Sequence, residues 1–259
     1  MSSLSLAIAD STTMLRRNLL HAARYPGLTL GSLGMPIVLL LLFVYVFGGA
    51  IGPGAAGGGE YIDYLLPGIL LLTVASGSIS TAVAVCTDMT EGIIARFRTM
   101  AIFRPSVLTG HVIGSMILTL ISLALVTGVG LLMGFRPNAS FTDWLGAAGI
   151  LALITFAFTW LAVAMGLVSQ TPEAASNIVL PLQFLPFLSS TFVPVDSMPA
   201  GLRWFAEYQP FTPITETVRG LLMGTPVGNQ WIAAIIWCVV IAAIGYLWSR
   251  SAYRKDPSR

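Results

Sequence analysis

Charged residues are scarce in this sequence. Lysine, arginine, aspartate and glutamate together make up 9% of the 259 residues, whereas hydrophobic residues make up 56%. A soluble domain carries about 25% charged residues and could not bury so much apolar surface. The shortage of charge therefore excludes an ordinary soluble fold and indicates an integral membrane protein.

Cysteine and histidine are also scarce, with two of each. Cys86 and Cys238 lie in apolar blocks without metal-binding or redox spacing, so we expect packing roles for both. His21 and His111 cannot complete a nucleophile–base pair or a metal site at membrane depth. No Walker motif is found in the sequence. These absences argue against a membrane-embedded hydrolase, against a bound metal or other cofactor, and against ATP hydrolysis by this chain.

Six apolar blocks are long enough to cross a membrane, because a spanning helix needs about 20 apolar residues. Pro181 and Pro186 interrupt the fifth block, where neighbouring helices would have to compensate for the kinks. The turn before it predicts a helix start, with Thr171 as N-cap, Pro172 as first helical residue and Glu173 in the first turn. We therefore predict an all-α membrane protein with six transmembrane helices in a single domain, residues 1–259. The blocks cover residues 28–48, 63–86, 106–134, 142–168, 174–193 and 230–249.

Basic residues indicate the orientation of these blocks, because lysine and arginine in short loops favour the cytoplasmic side. They cluster before the first block, between the second and third, and after the sixth, whereas the opposite loops hold Arg136, Arg203 and Arg219. Both termini are therefore expected in the cytoplasm, and no nucleic-acid surface is expected. A cleaved signal peptide is the alternative for the first block, but the block is too long and no convincing cleavage site follows. The clustered residues are Arg16, Arg17, Arg24, Arg96, Arg98, Arg104, Arg250, Arg254, Lys255 and Arg259.

Residues 11–24 have an amphipathic pattern, with leucines on one face and Arg17, His21 and Arg24 on the opposite face. We expect a helix in the cytoplasmic membrane interface, where its cations would lie beside anionic lipid head groups. A membrane anchor with no further role is the alternative interpretation.

Residues 87–104, between the second and third blocks, are also amphipathic. Apolar residues fall on one side of a helix, while Asp88, Glu91 and Arg98 fall on the other. We expect a short helix at the membrane surface whose charged side meets a soluble partner. A merely solvated loop is the alternative.

Residues 194–228 carry two helix signals on the external side. The first signal includes Trp204 and Glu207, and the second includes Glu216 and Arg219. Each helix would be about 15 Å long, too short to cross the bilayer alone. Glu216 and Arg219 stand three residues apart and can pair, which lowers the free-energy cost of placing them near lipid. We expect two re-entrant helices, and the alternative is two helices lying flat in the interface.

Two segments of the sequence resemble the permease subunits of ABC-2 type exporters, especially the daunorubicin-resistance branch. The first segment has Asp88, then Glu91-Gly92, then RFRTMAI over residues 96–102, and then PSVLTG over residues 105–110. The second has FVPVDSMP over residues 192–199, followed by QPFTP and RGLLMG. Gln209 stands where the family usually has asparagine. The resemblance extends over nearly the whole chain, including the order of six helices.

The resemblance implies a subunit that dimerises with a second copy or a homologue and binds two cytoplasmic ABC ATPase subunits. The N-terminal helix and the 87–104 segment would contact the ATPases, and ATP and Mg would be bound by those partners. It also implies that the segment before the last block forms re-entrant helices. The implied ATPase-coupling residues are Arg17, Arg24, Asp88, Glu91, Gly92, Arg96 and Arg98.

The same resemblance implies that the second and fifth blocks line a substrate pathway at the dimer axis. Hydroxyl and amide groups in an apolar wall suit an amphipathic drug, lipid or lipid-linked metabolite. We therefore expect an export permease of the cell membrane, energised by a separate ATPase. An ion-coupled carrier is the alternative, but it predicts buried ionisable groups, and Asp63, Asp88 and His111 lie at block ends. The expected pathway residues are Ser76, Ser78, Ser80, Gln183, Phe184, Phe187 and Ser190, each of which could instead serve helix packing.

Overall fold

A computed structural model describes residues 26–49, 60–90 and 105–255. Helices joined by short turns account for nearly all of these residues, and the described ranges contain no strand. The helix predicted over residues 11–24 and most of the predicted 87–104 segment lie outside the described residues. The all-α prediction is confirmed for the part of the chain that the structure describes.

Eight α-helices occur in the described ranges. The first helix continues into a π-helical turn, Leu42–Phe47, and the fifth continues into a 3₁₀ turn, Leu185–Leu188. A further 3₁₀ turn covers Val195–Ser197. The helices are α1 (Pro26–Leu41), α2 (Tyr61–Thr90), α3 (Pro105–Leu132), α4 (Phe141–Val168), α5 (Pro172–Phe184), α6 (Ala200–Tyr208), α7 (Phe211–Met223) and α8 (Gln230–Lys255).

Four of these helices, namely α2, α3, α4 and α8, are long and apolar enough to cross a membrane. A shorter apolar helix covers Gly34–Phe47. The fifth predicted block, residues 174–193, ends as an α-helix earlier than expected, at Phe184. Pro181 and Pro186 explain this end, because proline removes a helical N–H donor and crowds the preceding turn.

The predicted start of α5 is confirmed. Thr171 is the N-cap, and its hydroxyl oxygen accepts a hydrogen bond from the backbone N–H of Ala174 at 3.2 Å. Pro172 and Glu173 follow as the first helical residues. The N–H that proline lacks would have no partner within the helix at this position, and the helix dipole stabilises the negative charge of Glu173. A second cap starts α4, where Ser140 and Asp143 form a capping box.

Helix α2 is the centre of the bundle and contacts α1, α3, α4, α5 and α7. Its residues from Leu65 to Ala75 are all buried. Helix α4 packs against α2 on one side and against α8 on the other. By contrast, α3 and α8 expose apolar side chains such as Leu125 and Ile236. Such faces suit a lipid environment, in which exposed hydrocarbon carries no penalty.

Two glycines allow the central helices to approach closely. A Cβ atom at Gly166 in α4 would lie 2.5 Å from the carbonyl oxygen of Ala82 in α2. At Gly245 in α8, a Cβ atom would lie 2.6 Å from the backbone nitrogen of Leu161 in α4. Close backbone approach at small residues is a usual way for membrane helices to gain packing energy.

We predict that Gly166→Ala and Gly245→Ala each destabilise the protein, by about 1–3 kcal/mol, because the added methyl meets backbone atoms that cannot move aside alone. Gly149→Ala in α4 is the matched control, since no atom lies within 4 Å of its Cβ position. Because alanine is the better helix former, the control should keep or raise stability. Thermal unfolding of the purified protein in detergent measures the three midpoints, and equal shifts would contradict the packing role.

Candidate functional site

Helix α7 lies inside the bundle. Phe211, at its start, packs edge-on against Phe158 of α4, with 5.4 Å between ring centroids. Gly224, which caps its end, lies against Asn138, just before α4. Phe158 is past the middle of the 28-residue α4, so α7 runs alongside α4 from its start to beyond its midpoint. The buried residues of α7 are Phe211, Thr212, Pro213, Ile214, Thr215, Thr217, Val218, Gly220 and Leu222.

Local sequence defines both ends of α7. The side-chain oxygen of Gln209 accepts a hydrogen bond from the backbone N–H of Phe211 at 3.2 Å. Gln209, the residue that departs from the family pattern, thus satisfies one of the free N–H groups at the helix start. At the other end Gly224 has a φ of 66°, a left-handed conformation that glycine adopts without a Cβ clash.

Residues 189–192, between the 3₁₀ turn after α5 and Pro194, are irregular yet buried. Buried backbone without regular structure needs other hydrogen-bond partners. Two tyrosines of α2 supply them. The Tyr64 hydroxyl donates to the carbonyl oxygen of Ser190 at 2.8 Å, and the Tyr61 hydroxyl donates to that of Phe192 at 3.2 Å.

Arg219 links α7 to this irregular segment and to α2. Its Nε donates to the carbonyl oxygen of Tyr64 at 3.1 Å, and its Nη2 donates to that of Ser190 at 2.9 Å. Its Nη1 pairs with Glu216 Oε1 at 2.7 Å, as their spacing predicted. The guanidinium also lies 3.8 Å above the centroid of the Tyr64 ring. With its side chain 12% exposed, Arg219 thus has the partners that a largely buried cation requires.

Hydroxyl-bearing side chains surround the contact between α2, α7 and the irregular segment. Thr191 lies against α2 where Gly68 provides room, since a Cβ there would be 2.1 Å from Thr191 Cγ2. The Thr212 hydroxyl accepts from the backbone N–H of Ser190 at 3.3 Å. The Ser190 hydroxyl itself is buried with no hydrogen-bond partner among the described residues. We call Tyr64, Ser190, Glu216 and Arg219 the junction cluster.

The predicted pathway hydroxyls occupy different environments. Ser78 is buried, and its hydroxyl donates to the carbonyl oxygen of Val74 in its own helix at 3.1 Å. Ser76 accepts a hydrogen bond from Gln183 Nε2 at 3.3 Å, which ties α2 to α5. Ser80, in contrast, is exposed. The hydroxyl groups of Ser76 and Ser78 therefore already have hydrogen-bond partners within the protein, whereas the Ser80 hydroxyl is accessible.

Aromatic rings form a row from α5 to α1. The predicted residues Phe184 and Phe187 have ring centroids 6.4 Å apart. Phe187 stacks on Phe192 at 4.8 Å, Phe192 contacts Phe43 at 4.5 Å, and Phe43 contacts Phe47 at 5.4 Å. Phe184 is 61% exposed and Phe187 is 37% exposed. Phe192, Phe43 and Phe47 were not predicted from the sequence. Phe192 lies in the irregular chain after α5, and its contact with Phe43 on the distant α1 has no signal in the local sequence.

Helix α5 also exposes a polar residue that sequence reasoning missed. Asn177 is exposed on the same helix as Phe184, with Ile178 and Leu180 beside it. An amide among exposed apolar side chains resembles the wall that suits an amphipathic ligand. The signal in the sequence was a single asparagine inside an apolar block, which hydropathy alone does not distinguish from a packing residue.

Asp88 is the one predicted coupling residue within the described ranges, and it is buried. Its Oδ2 lies 3.0 Å from Nε2 of His111 in α3. The expectation that its carboxylate faces a soluble partner therefore differs from the observed geometry, in which it faces a neighbouring helix. The residues outside the described ranges are Arg17, Arg24, Glu91, Gly92, Arg96 and Arg98.

Helix α6 differs from α7, because Ala206 is its single buried residue. Trp204 is 67% exposed and contacts the ring of Tyr208. Glu207 pairs with Arg203 at 3.0 Å, and Asp196 pairs with the same arginine. The hydrogen bond from Arg203 to Glu207, together with the charge of Asp196, raises the pKa of Arg203 further above its ordinary value. Exposed aromatic and charged side chains together suit a membrane–water interface.

An apolar groove of about 440 Å³ lies between α4, α7 and α8. Thr217 is its one hydroxyl-bearing residue, and that hydroxyl donates within its own helix to Pro213 at 2.6 Å. The groove therefore offers hydrocarbon surface and is separate from the aromatic row. Its lining residues are Gly146, Gly149, Ile150, Leu153, Thr217, Leu221, Val227, Trp231 and Ile235.

Comparisons with known proteins agree with the resemblance seen in the sequence. The family model described as ABC-2 type transporter matches residues 11–223. The daunorubicin resistance ABC transporter permease protein DrrB1 of Streptomyces coeruleorubidus is 30% identical over 234 residues, covering 90% of this chain and 81% of the relative. The probable doxorubicin resistance ABC transporter permease protein DrrC of Mycobacterium tuberculosis is 25% identical over 248 residues, covering 93% and 89%. A putative transport permease, ycf38 of Porphyra purpurea, is 25% identical over 221 residues, covering 84% and 75%.

We predict that Arg219→Leu destabilises the protein by about 3–5 kcal/mol, because it removes the cation that pairs with Glu216 and one hydrogen-bond donor from each of two carbonyl groups, those of Tyr64 and Ser190. Arg219→Lys should be intermediate, since an ammonium group keeps the charge but not the planar fork. The control is Arg203→Leu, which breaks exposed pairs worth less than about 1 kcal/mol. Unfolding midpoints in detergent test the order, and equal losses for Arg219→Leu and Arg203→Leu would refute the junction's importance.

Proposed function

The chain belongs to the ABC-2 type transporter family, and from this premise we propose that it exports an amphipathic compound using ATP hydrolysed by a separate subunit. It is a multi-pass protein of the cell membrane and the membrane component of an ABC transporter. The compound is a drug, a lipid or a lipid-linked metabolite. The names of two relatives, which refer to daunorubicin and doxorubicin resistance, support an amphipathic aromatic drug as the first substrate class to test.

We propose six transmembrane segments in one domain, with both termini in the cytoplasm. In this topology α1 and α5, with their following turns, act as the two shorter segments beside α2, α3, α4 and α8. Helix α7 is re-entrant, and its burial along α4 supports this assignment. Helix α6 lies in the external interface, which its exposed Trp204 and Tyr208 support. The external region then combines one re-entrant and one interfacial helix, rather than two re-entrant helices.

The observation that carries the substrate proposal is the partly exposed aromatic row beside α5. Phe184 and Phe187 offer ring faces, and the Ser76–Gln183 contact and Asn177 offer polar groups nearby. Stacking suits a planar aromatic compound, while the polar groups suit its hydroxyl or amine substituents. A second permease subunit facing the same surface would complete the pathway.

Energy for export comes from two ABC ATPase subunits on the cytoplasmic side. They bind ATP and Mg, and they contact the permease through residues 11–24 and 87–104. Closure of the ATPases would press on the 87–104 segment and shift the helices that follow from it, opening the pathway to the outside. The basic residues of these two segments suit an acidic surface on the partner.

Reconstitution with the cognate ATPase subunit tests this function. Proteoliposomes holding the complex should move daunorubicin, used as the probe, only when Mg-ATP is present on the ATPase side. Permease without ATPase is one control, and a complex with a hydrolysis-defective ATPase is another. Daunorubicin movement driven by an ion gradient without ATP would contradict the proposal and favour a secondary transporter.

We predict that Phe184→Ala and Phe187→Ala each lower the initial rate of daunorubicin transport by about 3- to 10-fold, which corresponds to one lost aromatic contact. Phe141→Ala is the matched control, because Phe141 is 78% exposed at the start of α4, on a helix outside the aromatic row. Transport rates are normalised to the amount of assembled complex. Equal rates for all three variants and the wild type would remove these residues from the pathway.

A further inference from the structure

Asp88 and His111 form a buried contact between the ends of two helices. Asp88 lies close to the end of α2 at Thr90, and His111 lies in the second turn of α3. Their atoms Oδ2 and Nε2 are 3.0 Å apart, and their side chains are 10% and 7% exposed. In the sequence, residues 91–104 connect the two helices that carry this contact.

The pair lies in apolar surroundings. Met89, next to Asp88, and Val112, next to His111, belong to one apolar cluster with Trp160. That cluster also includes residues of α4 and α8, so four helices meet beside the pair. In such surroundings the contact between the two side chains contributes to satisfying both of them, because buried polar groups need polar partners.

Stability alone does not explain a buried pair of this kind. Apolar residues of similar size would give the two helices equal or greater stability, because the pair loses its hydration on burial. The pair instead adds geometric specificity, because a carboxylate–imidazole hydrogen bond forms in one relative position of the two helices. Asp88 lies at the start of the 87–104 segment and His111 lies seven residues after its end, so the pair fixes the two helices that this segment joins.

We propose that Asp88 and His111 are positioning residues for coupling, which hold α2 and α3 together so that both helices move as one unit when the 87–104 segment is pushed. This inference rests on the proposed function. It gives Asp88 a role inside the permease instead of a role on the surface that meets the ATPase. Loss of the pair is therefore expected to lower the number of substrate molecules moved per ATP hydrolysed and to leave binding of the ATPase unchanged.

A double-mutant cycle tests the pair in the complex with its cognate ATPase, with daunorubicin as the probe. Asp88→Asn and His111→Phe each keep the approximate side-chain shape and remove the charged contact. We expect each single variant to assemble and to lower the ratio of daunorubicin moved to ATP hydrolysed by about 5-fold or more. The double variant should have a transport-to-ATP ratio no lower than that of the more severe single variant, because the effects of two residues that act as a unit do not add.

A control and a second variant separate coupling from folding. Asp143→Asn makes the same change in the capping box at the opposite end of α4, and it should leave the ratio unchanged. Asp88→Leu with His111→Leu should fold, because an apolar pair replaces a buried polar one, and should still lower the ratio. If instead the ratio stays at the wild-type value in the single variants or in the Leu–Leu variant, or if the single losses multiply, the proposal is wrong. Absence of ATP-dependent transport by the wild type would overturn the proposed function, which is a separate result.

Discussion

The packing of α5 and α7 depends on one buried group, the backbone carbonyl of Ser190. Helix α5 ends early at its prolines, and the chain that follows is buried without regular hydrogen bonds. In a membrane interior such backbone persists only where protein groups satisfy it. The Tyr64 hydroxyl and the Arg219 guanidinium both donate to this one carbonyl. Because Arg219 belongs to α7, the burial of α7 helps to satisfy the irregular chain that follows the early end of α5.

Helix α2 connects this junction to the Asp88–His111 contact at the other end of the helix. Tyr64 lies near its first turn, Ser76 contacts α5 near its middle, and Asp88 contacts α3 near its end. The intervening residues are buried from Leu65 to Ala75, so the helix has little freedom to bend locally. A displacement at the C-terminal end of α2 would therefore be passed along this helix to its contact with α5 at Ser76, as expected for coupling through packed helices.

Sequence reasoning succeeded where the signal is local and failed where it depends on distant contacts. The Thr171 cap and the Glu216–Arg219 pair involve residues within one helical turn, and spacing alone predicted both. Arg219, however, also bonds a carbonyl 155 residues away in the chain, at Tyr64, and no local pattern indicates that partner. The burial of Asp88 was missed for the same reason, because an amphipathic pattern shows which residues share a face but not what covers that face.

The exposed faces of the helices divide into two kinds, and this division bears on where substrate passes. The exposed middle of α3 and of α8 is apolar throughout, with residues such as Ile121 and Val239. Helix α5 exposes Asn177 and Phe184 together. An amide facing lipid would cost free energy with no compensation, whereas an amide facing a pathway or a second subunit gains a partner. The composition of the exposed α5 face therefore favours a role at the pathway over contact with the bilayer, independently of any family resemblance.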